Sequence, residues 1–170
     1  MEDLTINSFE HKRDAISFEA ETRLWSRDNI LICVDFPQDE DRNEYLKKYI
    51  TSINALLNWI EKNRTKIEDI LIENNYLSLA EDWAASADEA EDEEQECYIM
   101  EDGQKVFIPI KEADFRNNLY LNSVTMTFED DPEKPEMYLY LSCDPDYFSY
   151  HDIEILIDED QNIEILGLIG

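Results

Sequence analysis

Glycine is nearly missing from this chain of 170 residues, with only three present: Gly103, Gly167 and Gly170. Phosphate-cradling loops need several clustered glycines so that backbone can approach the anion. Nucleotide chemistry of that kind is therefore excluded. The same scarcity predicts that turns needing φ > 0 fall on Asn and Asp, which tolerate the left-handed region best among the other residues. Histidine is rarer still, with two copies, His11 and His151. Any Ser/His/Asp or Cys/His catalytic arrangement would have to use one of them. The three cysteines, Cys33, Cys97 and Cys143, are odd in number and far apart, which argues against a disulfide framework or a zinc site. They read as reduced thiols of a cytoplasmic protein, with Cys33 in the core. No apolar run approaches the ~18 residues of a membrane span. Residues 1–14 are charged and lack the apolar stretch of a signal peptide.

Positive charge is the other shortage. Fourteen Lys and Arg face 42 Asp and Glu, for a net charge of -28. Residues 67–104 contain no Lys or Arg and fourteen acids, half of that net value. Residues 117–170 carry thirteen acids against the single Lys134, whereas residues 1–66 are nearly balanced with thirteen acids and ten bases. Such a field repels nucleic acid and anionic membrane and attracts basic partners. Solubility of a small domain is served by a net charge of about 2–8 in magnitude, so solubility alone does not account for -28. The self-repulsion destabilises the compact state, and a basic partner would offset it while being steered to its site.

What is present is enough for a core: 43 % of residues are hydrophobic and 11 % aromatic, which is not a disordered composition. Residues 3–36 read as strands, with Ile16, Phe18 and Ala20 alternating with polar residues and a dense apolar run at residues 30–34 suited to a central strand. Asp39 is a candidate N-cap for a helix whose apolar stripe is Leu46, Tyr49, Ile53, Leu56, Leu57 and Ile60. A second helical pattern runs through Ile67, Ile70, Leu71, Asn74 and Leu77 to about Trp83, with Thr65 and Glu68 placed for a capping box. Residues 86–96 are low in complexity and densely acidic, the pattern of an extended loop or frayed helix end. Beyond it, residues 111–118 suggest a short helix with Phe115 facing inward. Four strands follow, near residues 119–128, 137–143, 153–157 and 163–169, joined by turns at 129–135 and 158–162.

The densest polar cluster is the loop at residues 143–152. Asp144, Asp146, His151 and Asp152 carry donors suited to a hard or borderline metal. The glycine and distal glutamate of a calcium loop are missing. A connection whose aspartates form Asx turns, whose Tyr147 and Phe148 plug the sheet and whose His151 donates locally outweighs a metal site, so no metal or other cofactor is assigned. Cys143 and His151 lie at opposite ends of this loop. A Cys/His pair is conceivable there, but no family-specific nucleophile sequence surrounds either, and no catalytic residue is assigned. As a binding loop, it offers Asp144, Asp146, Tyr147, Phe148, Tyr150, His151 and Asp152, with Tyr147 or Phe148 as aromatic anchor.

Several of these residues carry a resemblance. Pro109, Ile110, Asp114 and Phe115, then Asp146-Tyr147-Phe148-Ser149-Tyr150-His151, then the closing strand ending in Leu166-Gly167-Leu168-Ile169-Gly170, resemble a bacterial family of domains of unknown function. Some of its members are presumed to be immunity proteins encoded near toxins. That family shows a glycine before the histidine where this chain has Tyr150. The resemblance implies a mixed α+β fold and no established catalytic residue.

The expected architecture is α+β, with an antiparallel or mixed sheet packed against a helical pair. Residues 1–85 would hold the N-terminal strands and helices, 86–104 an acidic linker or loop, and 105–170 a C-terminal sheet module, within one domain or two. The expected function is non-catalytic: a cytoplasmic, immunity-like module that occludes a basic partner such as a toxin or effector. It would bind neither nucleic acid nor membrane. The alternatives are a metal-dependent or Cys/His enzyme on the 143–152 loop, and a mimic of nucleic-acid charge.

Overall fold

The computed structural model describes residues 3–11, 17–36, 42–90, 96–128 and 135–170. Ile16, the Asp39 cap, the densest part of the acidic run and most of the 129–135 turn lie outside them. Alternating side chains build the first hairpin, β2 (Ser17–Leu24) and β3 (Arg27–Asp35), with the two-residue β1 (Glu10–His11) on its outer edge. Phe18, Ala20, Leu24, Ile30, Ile32 and Val34 point to one face and are buried, as a period of two requires. The hairpin turns on Trp25 and Ser26, at φ 51° and 65°. Both positions of this turn type need φ > 0, and Asn-Gly is the usual occupant. Trp25 is tolerated because it is held from several sides. Its ring is 5 % exposed, its indole N–H donates to the Ile60 carbonyl at 3.1 Å, and its backbone N–H donates to Glu61 Oε2 at 2.7 Å. The expectation that φ > 0 falls on Asn and Asp thus holds for Asn29 and Asn75, while Trp25, Ser26, Ser149, Tyr150 and Gln161 depart from it.

The predicted apolar stripe forms α1 (Arg42–Lys62), with Leu46, Tyr49, Ile53, Leu57 and Ile60 at 5 % exposure or less. The expected second helix is two, α2 (Arg64–Glu73) and α3 (Tyr76–Ala84). The break between them is Asn75 at φ 64°, a conformation that no helix can continue through. Asn63 occupies the N-cap of α2, so Thr65 lies inside the helix and does not cap it. Within residues 86–104, expected as a linker or loop, the described part forms β4 (Asp88–Glu89) and β5 (Cys97–Ile99), which join β6 (Lys105–Phe107) in a small antiparallel sheet. The short helix α4 (Glu112–Asn118) leads straight into β7 (Leu119–Thr127), and β8 (Glu136–Cys143), β9 (Asp152–Ile157) and β10 (Ile163–Ile169) follow as an antiparallel meander.

The large sheet runs β1-β2-β3-β7-β8-β9-β10. Among the described residues its one parallel pairing is β3 with β7, from Leu31 opposite Ser123 to Asp35 opposite Thr127. The class is therefore α+β with a mixed sheet, and the N-terminal strands share that sheet with the C-terminal meander. A single apolar cluster runs from Phe18 through the faces of α1–α3 to Ile157. No helix of the described residues is long and apolar enough to cross a membrane.

Irregular backbone is satisfied by side chains reaching from helices. Asn54 exchanges hydrogen bonds with both backbone groups of Leu4, at 2.8 and 2.9 Å, and Glu81 accepts the Ile110 N–H at 2.8 Å. Arg64 does most. Its Nε donates to Glu68 Oε1 at 2.6 Å, and its other nitrogens donate to the carbonyls of Trp25, Arg116 and Leu119 at 3.2–3.3 Å. One guanidinium thus ties the first hairpin, α2 and the α4–β7 junction together. Glu68 is 7 % exposed, so removing Arg64 leaves a buried carboxylate whose remaining cationic partner among the described residues is the more distant Arg116, at 3.7 Å. Arg64→Ala is expected to lower stability by about 2–4 kcal/mol, below the roughly 3–5 kcal/mol for breaking a fully buried ion pair because the Arg64 side chain is 31 % exposed. Arg64→Lys should recover only part, since a lysine cannot reproduce the fork. Urea unfolding of the three proteins measures both.

Candidate functional site

The loop between β8 and β9 is shaped by its own aspartate. Asp146 accepts the backbone N–H of Phe148 at 3.2 Å on Oδ1 and of Tyr150 at 2.6 Å on Oδ2. This is an Asx turn, the plainer reading of these residues. Asp146 in turn donates its backbone N–H to Asp102 Oδ2 at 2.8 Å, and the Gln104 side chain donates to Asp144 Oδ1 at 2.6 Å. The β5–β6 turn, 40 residues earlier in the chain, is thereby locked to the loop.

The expected site residues divide sharply. Tyr147 and Phe148 are 2 % and 0 % exposed. Tyr147 stacks on Phe115 and accepts a hydrogen bond from Asn118 at 2.7 Å. Phe148 is boxed by Tyr76 and Trp83. Both plug the core, so neither can anchor a partner, and that part of the expectation is corrected by their burial. Tyr150 is the reverse case, 70 % exposed and held at φ 64° after Ser149 at φ 50°. It stands where the resemblance places a glycine, in a conformation glycine adopts freely and tyrosine does not. Trp25 sits in the same backbone region but is compensated by burial; Tyr150 is not.

His151 Nδ1 lies 2.8 and 2.9 Å from the carbonyls of Phe148 and Ser149. Carbonyls only accept, so Nδ1 carries a proton and donates to them. The ring packs edge-on to Trp83 at 5.3 Å. Gly170 also lies against the ring, where an added Cβ would come within 2.7 Å of it. Asp152 accepts from Ser142, and from Asn122 at 3.0 Å.

Together these groups line an open cleft of about 480 Å3 walled by Asp102, Asp144, Asp146, Tyr150, His151 and Asp152, with Tyr120, Asn122 and Ser142 at its sheet side. Asp102, Gln104, Tyr120 and Asn122 were not found by sequence reasoning. They reach the cleft through tertiary contacts alone, and only Gly103 hinted at the turn that carries the first two. Burial works to raise the Asp102 carboxyl. Hydrogen bonds from the Asp146 and Gln104 backbone and from the Gln104 side chain outweigh it and hold the pKa below the ordinary value. Cys143 is 5 % exposed. Burial, with Asp146 and Asp152 nearby, pushes its thiol well above the usual range. A thiol that stays protonated is a poor nucleophile. Among the described residues no group of three or more His, Cys, Asp or Glu is placed to hold a metal ion.

Chemically, the cleft presents carboxylate oxygens, an imidazole and an exposed phenol. Carboxylate oxygens of this kind can accept hydrogen bonds from cationic donors. Fold and cleft together define an α+β protein with a mixed sheet whose end carries an acidic recess. The chain belongs to the family described as uncharacterised proteins conserved in bacteria, DUF2262, whose model matches residues 3–168. The match takes in the N-terminal hairpin and helices, well beyond the C-terminal third that carried the resemblance. No curated protein and no solved structure matches the chain.

Two outcomes follow from this geometry. Cys143 is expected to resist alkylation in the native protein and to react on unfolding, as mass spectrometry after iodoacetamide treatment would show; fast native labelling would contradict its burial. For Asp102, a folded pKa below the unfolded one stabilises above the ordinary carboxylate pKa of about 3.9. That stabilisation is lost as pH falls through the lower folded value. Asp102→Asn should therefore lose less stability than the parent on acidification below about pH 4. The effect is small and salt-screened because Asp102 is exposed. Urea titrations across that range measure the difference.

Proposed function

We propose that this protein is a non-catalytic acidic binding module that occludes a basic partner, in the manner of an immunity protein covering a toxin or effector in the cytoplasm. Carboxylates of the cleft pair with the partner's Lys and Arg, and the field of the -28 chain speeds the encounter. The observation that carries the reading is Tyr150, an aromatic side chain 70 % exposed on a left-handed backbone, beside Asp144 and Asp146. Backbone strain of this kind persists where something outside local stability selects it, and Tyr is among the residues that dominate binding hot spots. Tyr150 thus takes the anchor role first assigned to Tyr147 or Phe148.

The test is a pull-down from the native bacterial host at low and then physiological salt. Retention of a basic protein that survives physiological salt supports the reading, and retention of none at either salt sinks it. Competition by DNA for the retained protein would point instead to mimicry of nucleic-acid charge. Tyr150→Gly separates binding from folding. It is expected to raise stability by up to about 1 kcal/mol by relieving the left-handed tyrosine, while weakening retention of the partner. Unchanged retention would remove Tyr150 from the interface.

A further inference from the structure

A sheet built mainly of antiparallel pairs can leave one face to water, and this mixed sheet does so along β2, β3, β7, β8 and β9. On β7, Leu119, Leu121, Val124 and Met126 are buried, whereas Tyr120, Ser123, Thr125 and Thr127 between them are not. On β8, Met137, Leu139 and Leu141 are buried, and Tyr138, Tyr140 and Ser142 are left partly open. The register then lines up two rows across the open face. Cys33, Thr125, Tyr138 and Leu156 form one, ending at Glu164; Leu31, Ser123, Tyr140 and Glu154 form the other, starting from Glu21.

The centre of this face combines apolar and aromatic side chains, Leu31, Cys33, Tyr138, Tyr140 and Leu156, with the small hydroxyls of Ser123 and Thr125 between them. Its margin is carboxylate: Glu19, Glu21, Asp35, Glu136, Glu154 and Glu164. An apolar, aromatic centre with a polar rim is the anatomy of a protein interface. Both tyrosine hydroxyls are already oriented by rim carboxylates. Tyr138 Oη donates to Glu136 at 3.1 Å. The Tyr140 phenol, raised to about 12 first by burial and then by its hydrogen bond to Glu154, stays protonated and keeps donating. The strands of the large sheet contribute two Lys or Arg, Arg23 and Arg27. Arg27 lays its guanidinium over the Tyr120 ring at 3.3 Å. That stacking is the contact a foreign arginine would make on Tyr138 or Tyr140, since a ring face and a nearby carboxylate together suit a guanidinium. Ser142, Tyr120 and Asp152 belong both to this face and to the cleft, so the two surfaces are continuous.

We infer that the open sheet face, centred on Tyr138 and Tyr140 and ending in the cleft at Tyr150, is the docking surface, and that its occupant is an arginine- or lysine-bearing surface of another protein. The inference rests on the acidic-module reading and gives it a location. The binding energy is placed on the sheet face and the cleft at its end, while the helices add only long-range attraction.

A labelled peptide of alternating arginine and valine serves as probe, followed by backbone amide shifts in NMR and by fluorescence anisotropy. Shifts are expected to concentrate on Thr125, Tyr138, Tyr140 and Leu156. The pair Glu136→Lys, Glu164→Lys is compared with Glu73→Lys, Asp82→Lys, which makes the same change in net charge on the helices. The sheet pair should weaken binding by about tenfold, the scale of close interfacial charge pairs, and the helix pair by under about twofold, as expected for screened distant charges. Circular dichroism checks that each variant is folded. Equal weakening by both pairs, or shifts confined to the helices, overturns the sheet face and leaves the acidic-module reading intact. Failure of the parent to bind the probe at low salt overturns the inference and, joined to an empty pull-down, the reading as well. The same shift pattern from self-association of the unmixed protein would assign the face to a second copy and overturn the stated occupant.

Discussion

The pairing of β3 with β7 is the constraint on which the rest depends. Every other neighbour in the large sheet is antiparallel and reached by a short connection. A parallel pair cannot be closed that way and needs a crossover over one face. The chain between Asp35 and Leu119 is that crossover, and it contains α1, α2, α3, the small sheet and α4. All of the helical mass is therefore laid on one side. Arg64 locks the arrangement where the first hairpin, α2 and the α4–β7 junction meet. The buried ends of β3 and β7 close on the aromatic group of Phe36, Tyr49 and Phe128, whose rings lie 5.1–6.3 Å apart.

One-sided coverage has an electrostatic consequence. A chain of net charge -28 has to spread its carboxylates over whatever surface the fold leaves open. Some are used locally as acceptors: Asp102 and Asp146 hold the cleft loops, and Asp158 takes three hydrogen bonds at the β9–β10 turn. Others surround the uncovered sheet face, where Glu136 and Glu154 also accept from the partly open Tyr138 and Tyr140.

Much of the architecture could be read locally. The α1 stripe, the β7–β10 strands and the inward Phe115 all follow from side-chain period, which is a property of neighbouring residues. Thr65 misled because a capping signal is judged against a boundary that tertiary packing moved to Asn63. The break at Asn75 and the strand β4 escaped notice because the first depends on one dihedral and the second on a partner strand far along the chain. The connection at residues 143–152 could be read between its two strands, but which of its aromatics is buried could not. Tyr147 and Tyr150 are the same residue type three positions apart, and nothing local separates them.

The sequence by itself determined the element types, the distribution of charge and the absence of phosphate-loop glycines, because these depend on composition and short-range period. Tertiary structure alone decided which elements became neighbours. It put Tyr147 against Phe115 in the core and left Tyr150 in solvent. It brought Asp102 to Asp146 and joined the N-terminal hairpin to the C-terminal meander. The physical reason is the same throughout: burial and register are set by contacts between residues distant in sequence, and alternation along a strand assigns two faces without saying which of them will be covered.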